Sequence, residues 1–145
     1  MFRIACYYPI QHPTDLFVVQ VTGNLIKDSS LVRLEYAVEN FGVPLIFVLG
    51  HQNCKVIEKT MEKEINSGHF PGFDKRLTPE MESQMQKAVD ELCKTHIWLA
   101  QEEILRFSEI FRKRVDNGTL QITGGFYNSK TGRVEPLDRA QHKAL

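Results

Sequence analysis

The first part of the chain contains two short apolar runs, followed by one segment with a helical pattern. The runs "FRIAC" at 2–6 and "DLFVVQV" at 15–21 are rich in β-branched and aromatic residues and are bounded by Pro and Thr, which predicts strands. Next, "KDSSLVRLEYAVENFG" at 27–42 offers polar residues at its start and predicts a helix that ends at Gly42. One face of this helix carries Leu31, Leu34, Val38 and Phe41.

The run "PLIFVLG" at 44–50 is apolar at consecutive positions rather than at alternate ones. This pattern predicts a strand that helices cover on both faces. A helix is expected to follow from about Cys54. The resulting order of strand, helix, strand and helix is typical of an α/β sheet.

The second half of the chain predicts two helices and a hairpin. Thr78 and Pro79 suit the N-cap and first turn of a long helix, and a further helix is expected over "EEILRFSEIFRKRVDNG" at 102–118. The strand "LQITGGFY" and the turn "NSKTG" lead into "RVEPL", which predicts a C-terminal hairpin. The apolar stripe of the long helix is expected to comprise Met81, Met85, Val89, Leu92 and His96.

Composition limits the classes of function. A chain of 145 residues with 42% hydrophobic residues, no repeat and no linker predicts a single domain over residues 1–145. The 18 basic and 18 acidic residues cancel, so neither nucleic acid nor a membrane is expected as a partner. No apolar stretch approaches the roughly 20 residues of a membrane span, and the start of the chain has no leader pattern, so a cytoplasmic protein is expected.

Three cysteines, at positions 6, 54 and 93, do not make a disulfide framework, so metal binding, catalysis or burial must explain them. His51 and Cys54 lie where the predicted strand ends and the next helix begins, which is where open α/β sheets bind ligands. A cysteine at a helix N-terminus also has its thiolate favoured by the helix dipole. Taken alone, the pair is more typical of a capped helix with a buried cysteine, and both interpretations stay open.

Three segments of the chain together resemble one known family. "SLVRLEYAVENFGVPLIFVLGHQNC" at 30–54 is similar to the helix and strand that end in the Gly-His-x-x-Cys motif of the β-class carbonic anhydrases. "QHPTDLFVVQVTGN" at 11–24 resembles its Gln-x-Pro-Gly-Asp-Leu-Phe-Val-Val-Arg-x-Ala-Gly-Asn segment, and "LQITGGFYNSKTGRVEPL" at 120–137 its closing strand and hairpin. The resemblance implies an α/β fold with a parallel-centred sheet flanked by helices and a C-terminal hairpin, built into a homodimer or larger homo-oligomer.

The resemblance also implies a zinc enzyme that interconverts carbon dioxide and bicarbonate. In the family, two cysteines and one histidine hold Zn²⁺ and leave the fourth position to water, a donor set that zinc prefers. His51 and Cys54 carry over as two of these ligands. Gln11 matches the glutamine that hydrogen-bonds a substrate oxygen.

The third ligand carries over less directly. The upstream candidate is Cys6, at the end of "FRIAC", but the family's Cys-x-Asp-x-Arg motif has Tyr8 and Ile10 here in place of Asp and Arg. Lys55 stands where the family usually has glycine. As a metal ligand, Cys6 would end a strand that is predicted to lie parallel to the strand of His51, so that the side chains of Cys6, His51 and Cys54 converge. Cys6 as a core residue of the first strand remains equally open.

Two functions therefore follow from the sequence. The first is a zinc lyase, weakened by loss of the Asp and Arg; the second is a catalytically degenerate relative that acts as a binding or scaffold protein. Cys93 lies on the apolar side of its predicted helix and is assigned to the core.

Overall fold

The computed structural model describes the backbone of residues 2–7, 16–64 and 78–137, and the side chains of the last two ranges. The strands are β1 (Phe2–Tyr7), β2 (Leu16–Val21), β3 (Leu45–His51), β4 (Gln121–Asn128) and β5 (Arg133–Pro136). The helices are α1 (Asp28–Phe41), α2 (Lys55–Glu64), α3 (Pro79–Phe107) and α4 (Glu109–Asp116), with a 3₁₀ turn at Thr22–Asn24. The strands form one sheet in the order β2-β1-β3-β4-β5.

The sheet is mixed around a parallel pair. β3 and β4 run parallel, β1 runs antiparallel to both β2 and β3, and β5 closes an antiparallel hairpin with β4. The predicted α/β class with a C-terminal hairpin is confirmed, whereas the expected parallel direction of β1 is wrong. Since β2, β3 and β4 point the same way, their carboxyl ends share one edge of the sheet.

Most helix ends follow their local signals. α1 begins at Asp28, and Gly42 ends it with a left-handed φ of 61°. The Thr78 hydroxyl accepts a hydrogen bond from Met81 N at 3.3 Å, and Pro79 is the first residue of α3.

The boundary between the last two helices differs from the prediction. α3 continues to Phe107, and the break falls at Ser108 instead of before residue 102. The Ser108 hydroxyl accepts from Phe111 N at 3.3 Å and donates to Glu35 Oε1 at 2.6 Å. A buried serine that caps α4 and also bonds α1 therefore sets the boundary.

α3 packs closely on β3 and β4. Its fully buried residues include Val89, Cys93, Ile97, Ala100 and Ile104. Of the predicted stripe, Val89 is fully buried and Leu92 is a half-buried side chain packed against the core. Gly50 and Gly124 face this helix: a Cβ added to either would lie 2.5 Å from a methyl carbon of Ile97. The two glycines therefore permit a short distance between helix and sheet.

The opposite face of β3 is less covered. Along the strand, Ile46, Val48 and Gly50 are buried, whereas Leu45, Phe47 and Leu49 are only half-buried. Because successive side chains point to opposite faces, the second set lies on the side away from α3. The prediction that both faces of this strand are covered is fulfilled on one face only, within the described residues.

All the strands of the described ranges belong to this single sheet. The assignment of one domain to residues 1–145 stays a prediction. No helix among the described residues is both long enough and apolar enough to cross a membrane.

Candidate functional site

The candidate site lies at the junction between β3 and α2. His51 is the last residue of β3, and Cys54 directly precedes α2, where its carbonyl oxygen accepts from Glu58 N at 3.0 Å. In the parallel register His51 lies beside Tyr127 of β4. The pair thus occupies the carboxyl edge of the sheet, where α/β folds place their ligands.

Backbone hydrogen bonds define the connection between the two side chains, residues 51–54, which we term the ligand loop. Gln52 N donates to Tyr127 O at 2.8 Å and attaches the loop to β4. Asn53 has a positive φ of 58°, which few non-glycine residues adopt, and its N–H donates to Asp90 Oδ1 of α3 at 3.0 Å. The loop is therefore held from both β4 and α3.

The same loop orients the imidazole of His51. Its Nδ1 lies 2.8 Å from Gln52 O. Because a carbonyl oxygen only accepts, Nδ1 must carry the proton of this hydrogen bond. Metal-binding histidines are commonly oriented in this way, by a hydrogen bond from one ring nitrogen.

α3 supplies a second contact to the loop through Cys93. The buried thiol donates to His51 O at 3.5 Å, and burial raises the pKa of Cys93 to about 12. Cys93 therefore stays a neutral thiol near pH 7. Its assignment to the core is confirmed, but sequence reasoning did not detect its contact with His51.

Asp90 was not considered at all from the sequence. Asp90 and Cys93 are three residues apart, a spacing that places both on one face of α3. An acidic residue on the apolar face of α3 was the sequence feature that could have indicated a shared role for Asp90 and Cys93.

The third proposed ligand is not brought to this edge. Cys6 pairs with Ile46 in the antiparallel register, five residues along β3 from His51. At about 3.3 Å per residue, this offset is on the order of 16 Å. The expected convergence of Cys6 with His51 and Cys54 assumed a parallel β1, and the backbone register is antiparallel instead. The role of Cys6 as a ligand stays a prediction, since its side chain lies outside the described ones, as does all of Gln11.

His51 and Cys54 fit zinc as two donors, because imidazole and thiolate are its preferred ligands. Among the side chains of 16–64 and 78–137, no group of three or more His, Cys, Asp or Glu residues could hold a metal ion. A zinc site of the two-cysteine, one-histidine type therefore needs one donor beyond this pair.

The turn after β2 lies at the same edge of the sheet. His96 Nδ1 of α3 lies 2.8 Å from Gly23 O and so donates to it. The next residue, Asn24, is 2% exposed, and neither its side-chain oxygen nor its nitrogen has a partner in the described structure. His96 thus fastens this turn to α3, in addition to lying near the apolar side of the helix.

The side chain of Lys55, the residue after Cys54, lies at the protein surface. Its side chain is 73% exposed and forms an ion pair with Glu58 at 2.7 Å. The hydrogen bond to Glu58 is the main cause of the raised pKa of Lys55. A lysine at this position is therefore accommodated at the surface of α2.

Comparison with known proteins identifies relatives over most of the chain. The family model for carbonic anhydrase matches residues 8–134. A carbonic anhydrase of Mycolicibacterium smegmatis is 33% identical over 128 residues, which are 83% of this chain and 62% of that protein. The chain thus spans a little under two thirds of the length of this curated relative.

Solved structures show the same fold at lower sequence identity. The β-carbonic anhydrase CafA of Aspergillus fumigatus superimposes with a TM-score of 0.67 at 18% identity, covering 88% of this chain and 66% of that one. One of two tetrameric β-carbonic anhydrases from Sordaria macrospora gives a TM-score of 0.64 at 17% identity, covering 87% and 70%.

Proposed function

Since the chain belongs to the β-carbonic anhydrase family, we propose that it binds Zn²⁺ and catalyses the reversible hydration of carbon dioxide to bicarbonate. The observation that carries this proposal is the junction of β3 and α2, which places His51 and Cys54 three residues apart at the carboxyl edge of the sheet. Membership of the family supports the reaction class, and the anchored ring of His51 supports metal binding.

Each residue has a separate part in the proposal. His51 coordinates the metal through Nε2 while its Nδ1–H donates to Gln52 O, which orients the ring. Cys54 supplies a thiolate at the start of α2. Gln11 orients a substrate oxygen through its amide. When bound, zinc lowers the pKa of a water ligand, and thiolate ligands reduce this effect relative to an all-histidine site.

A second function is favoured by a specific observation. The antiparallel β1 places Cys6 beside Ile46, away from the ligand loop, and the Asp and Arg of the family motif are replaced by Tyr8 and Ile10. A relative without a complete metal site would serve as a binding or scaffold protein. Isoleucine offers no hydrogen bond and tyrosine is uncharged near pH 7, so neither replaces the missing pair.

The proposal includes self-association into a homodimer or larger assembly. The exposed large apolar side chains of β2 and α1 are Leu16, Val18, Val32, Tyr36 and Phe41. β2 is also an edge of the described sheet, and β3 leaves half-buried side chains on its face away from α3. Apolar patches and unpaired edges of this kind are typical of surfaces covered by another chain.

Metal content and activity together test the proposed function. Purified wild type should contain one zinc per chain by elemental analysis and should hydrate carbon dioxide in a stopped-flow assay run from neutral to alkaline pH. His51→Ala should lose both the metal and the activity. Cys6→Ser, measured in parallel, decides the third ligand: unchanged zinc stoichiometry and affinity would remove Cys6 from the site.

The same assay separates the two functions. If wild type and His51→Ala have equal rates at every pH, the enzyme proposal is wrong and the scaffold function stands.

A further inference from the structure

We propose that Asp90 is a positioning residue for the metal ligands. Its carboxylate holds the ligand loop in the conformation that allows His51 and Cys54 to bind the same metal ion. The inference rests on the proposed metal binding and extends it to a residue of α3 that coordinates nothing itself.

The first observation is the hydrogen bond from Asn53 N to Asp90 Oδ1, at 3.0 Å. The two residues are 37 positions apart in the chain, so this contact joins the loop to a separate helix. Asp90 Oδ1 also accepts from Gln86 Nε2 at 3.2 Å, one turn earlier in α3, which keeps the carboxylate in place.

The second observation is the backbone of Asn53 itself. Its φ of 58° lies in the left-handed region, where a side chain is disfavoured unless surrounding contacts impose the conformation. Asn53 lies between His51 and Cys54, so rotation at this residue changes the direction of the Cys54 thiol relative to the imidazole. The bond to Asp90 acts directly on the residue whose conformation sets the geometry of the pair.

The third observation is the contact one helical turn further along. The Cys93 thiol donates to His51 O at 3.5 Å, so α3 contacts the loop at both His51 and Asn53. The close approach of α3 to Gly50, the residue before the loop, places the helix near enough for both contacts. Asp90 and Cys93 thus hold the ligand loop at two of its residues.

Three variants test this role with Co²⁺ as the probe, because cobalt gives a visible spectrum that reports thiolate coordination. Asp90→Ala removes the acceptor, Asp90→Asn keeps a carbonyl oxygen that can accept from Asn53 N, and Glu91→Ala is the matched control. Glu91 is the adjacent carboxylate on α3, its side chain is 69% exposed, and it pairs with Lys94 away from the loop.

Asp90→Ala should weaken Co²⁺ binding by about 10- to 100-fold, the usual loss when a supporting contact of a metal ligand is removed. It should also reduce the intensity of the thiolate-to-cobalt band at saturating metal. Asp90→Asn should recover most of the affinity and the spectrum, and Glu91→Ala should match wild type. Such rescue by asparagine is the result that a simple change of net charge would not produce.

Three results would overturn the proposal: Asp90→Ala binding Co²⁺ as wild type does, Glu91→Ala losing as much affinity as Asp90→Ala, or Asp90→Asn failing to recover. Amide exchange in β3 and β4 checks that each variant is folded. Wild type that binds no metal would instead refute the proposed function. In that case exchange of the Asn53 amide decides the structural part, since Asp90→Ala should expose this amide while wild type protects it.

Discussion

Replacing Gly124 with alanine should measure how closely α3 packs on the sheet. A Cβ at this position would lie 2.5 Å from Ile97 Cγ2, 2.5 Å from Gln101 Nε2 and 3.2 Å from Val48 O. Cγ2 is attached directly to the Cβ of Ile97, so it cannot turn away without moving the side chain or the helix. The Gln101 amide is equally constrained, since its Nε2 donates to Ile97 O at 3.3 Å and to Leu137 O at 3.1 Å.

The effect of Gly124→Ala on the free energy of unfolding has three parts. Overpacking of a tight core costs about 1–3 kcal/mol, and loss of one buried hydrogen bond of Gln101 adds about 1–2 kcal/mol. Replacing glycine restricts the unfolded chain, which stabilises the folded state by about 0.4–1 kcal/mol. Gly124→Ala should therefore lower the free energy of unfolding by about 2–3 kcal/mol, the centre of these ranges.

Urea denaturation provides the measurement, with a double-mutant cycle as its control. Ile97→Ala removes Cγ2, so Gly124→Ala should cost clearly less in that background than in wild type. Ile97→Val keeps both branch carbons and should leave the cost nearly unchanged. Equal costs in the Ile97→Ala and wild-type backgrounds, or no cost in either, would refute the close packing argued here.

Two further predictions concern alkaline pH and assembly. In metal-free protein the buried Cys93 has a pKa of about 12, against a reference value of 9.0, so the folded chain holds its proton longer than the unfolded chain. The contribution of Cys93 to the free energy of unfolding is complete below the pKa of the unfolded chain and declines as pH rises toward 12, by at most about 1.4 kcal/mol per pH unit. Urea denaturation of Cys93→Ser should lack this decline. Equal slopes of the free energy of unfolding against pH in the variant and in wild type would contradict the prediction. Light scattering at micromolar concentrations should give a dimer or larger species, because β2 and α1 expose large apolar side chains, and a monomer throughout would count against the proposed assembly.

The sequence by itself determined those features that depend on neighbouring residues. Gly42 marks the end of α1, and Thr78 with Pro79 marks the start of α3, because caps and first-turn prolines act within one helical turn. The same holds for the positions of His51 and Cys54: a strand that ends at His51 and a helix that begins after Cys54 place both at a carboxyl edge of an α/β sheet.

Tertiary structure decided what depends on contacts between distant segments. The run "FRIAC" has the same alternation whichever way it is read, so its pattern cannot distinguish a parallel from an antiparallel β1, and the position of Cys6 depended on that choice. The break at Ser108 follows from its bond to Glu35 of α1, 73 positions away, as well as from its cap. Asp90 reaches the ligand loop because Gly50 and Gly124 let α3 lie close to the sheet, and this distance is set by packing across the core, which no local pattern encodes.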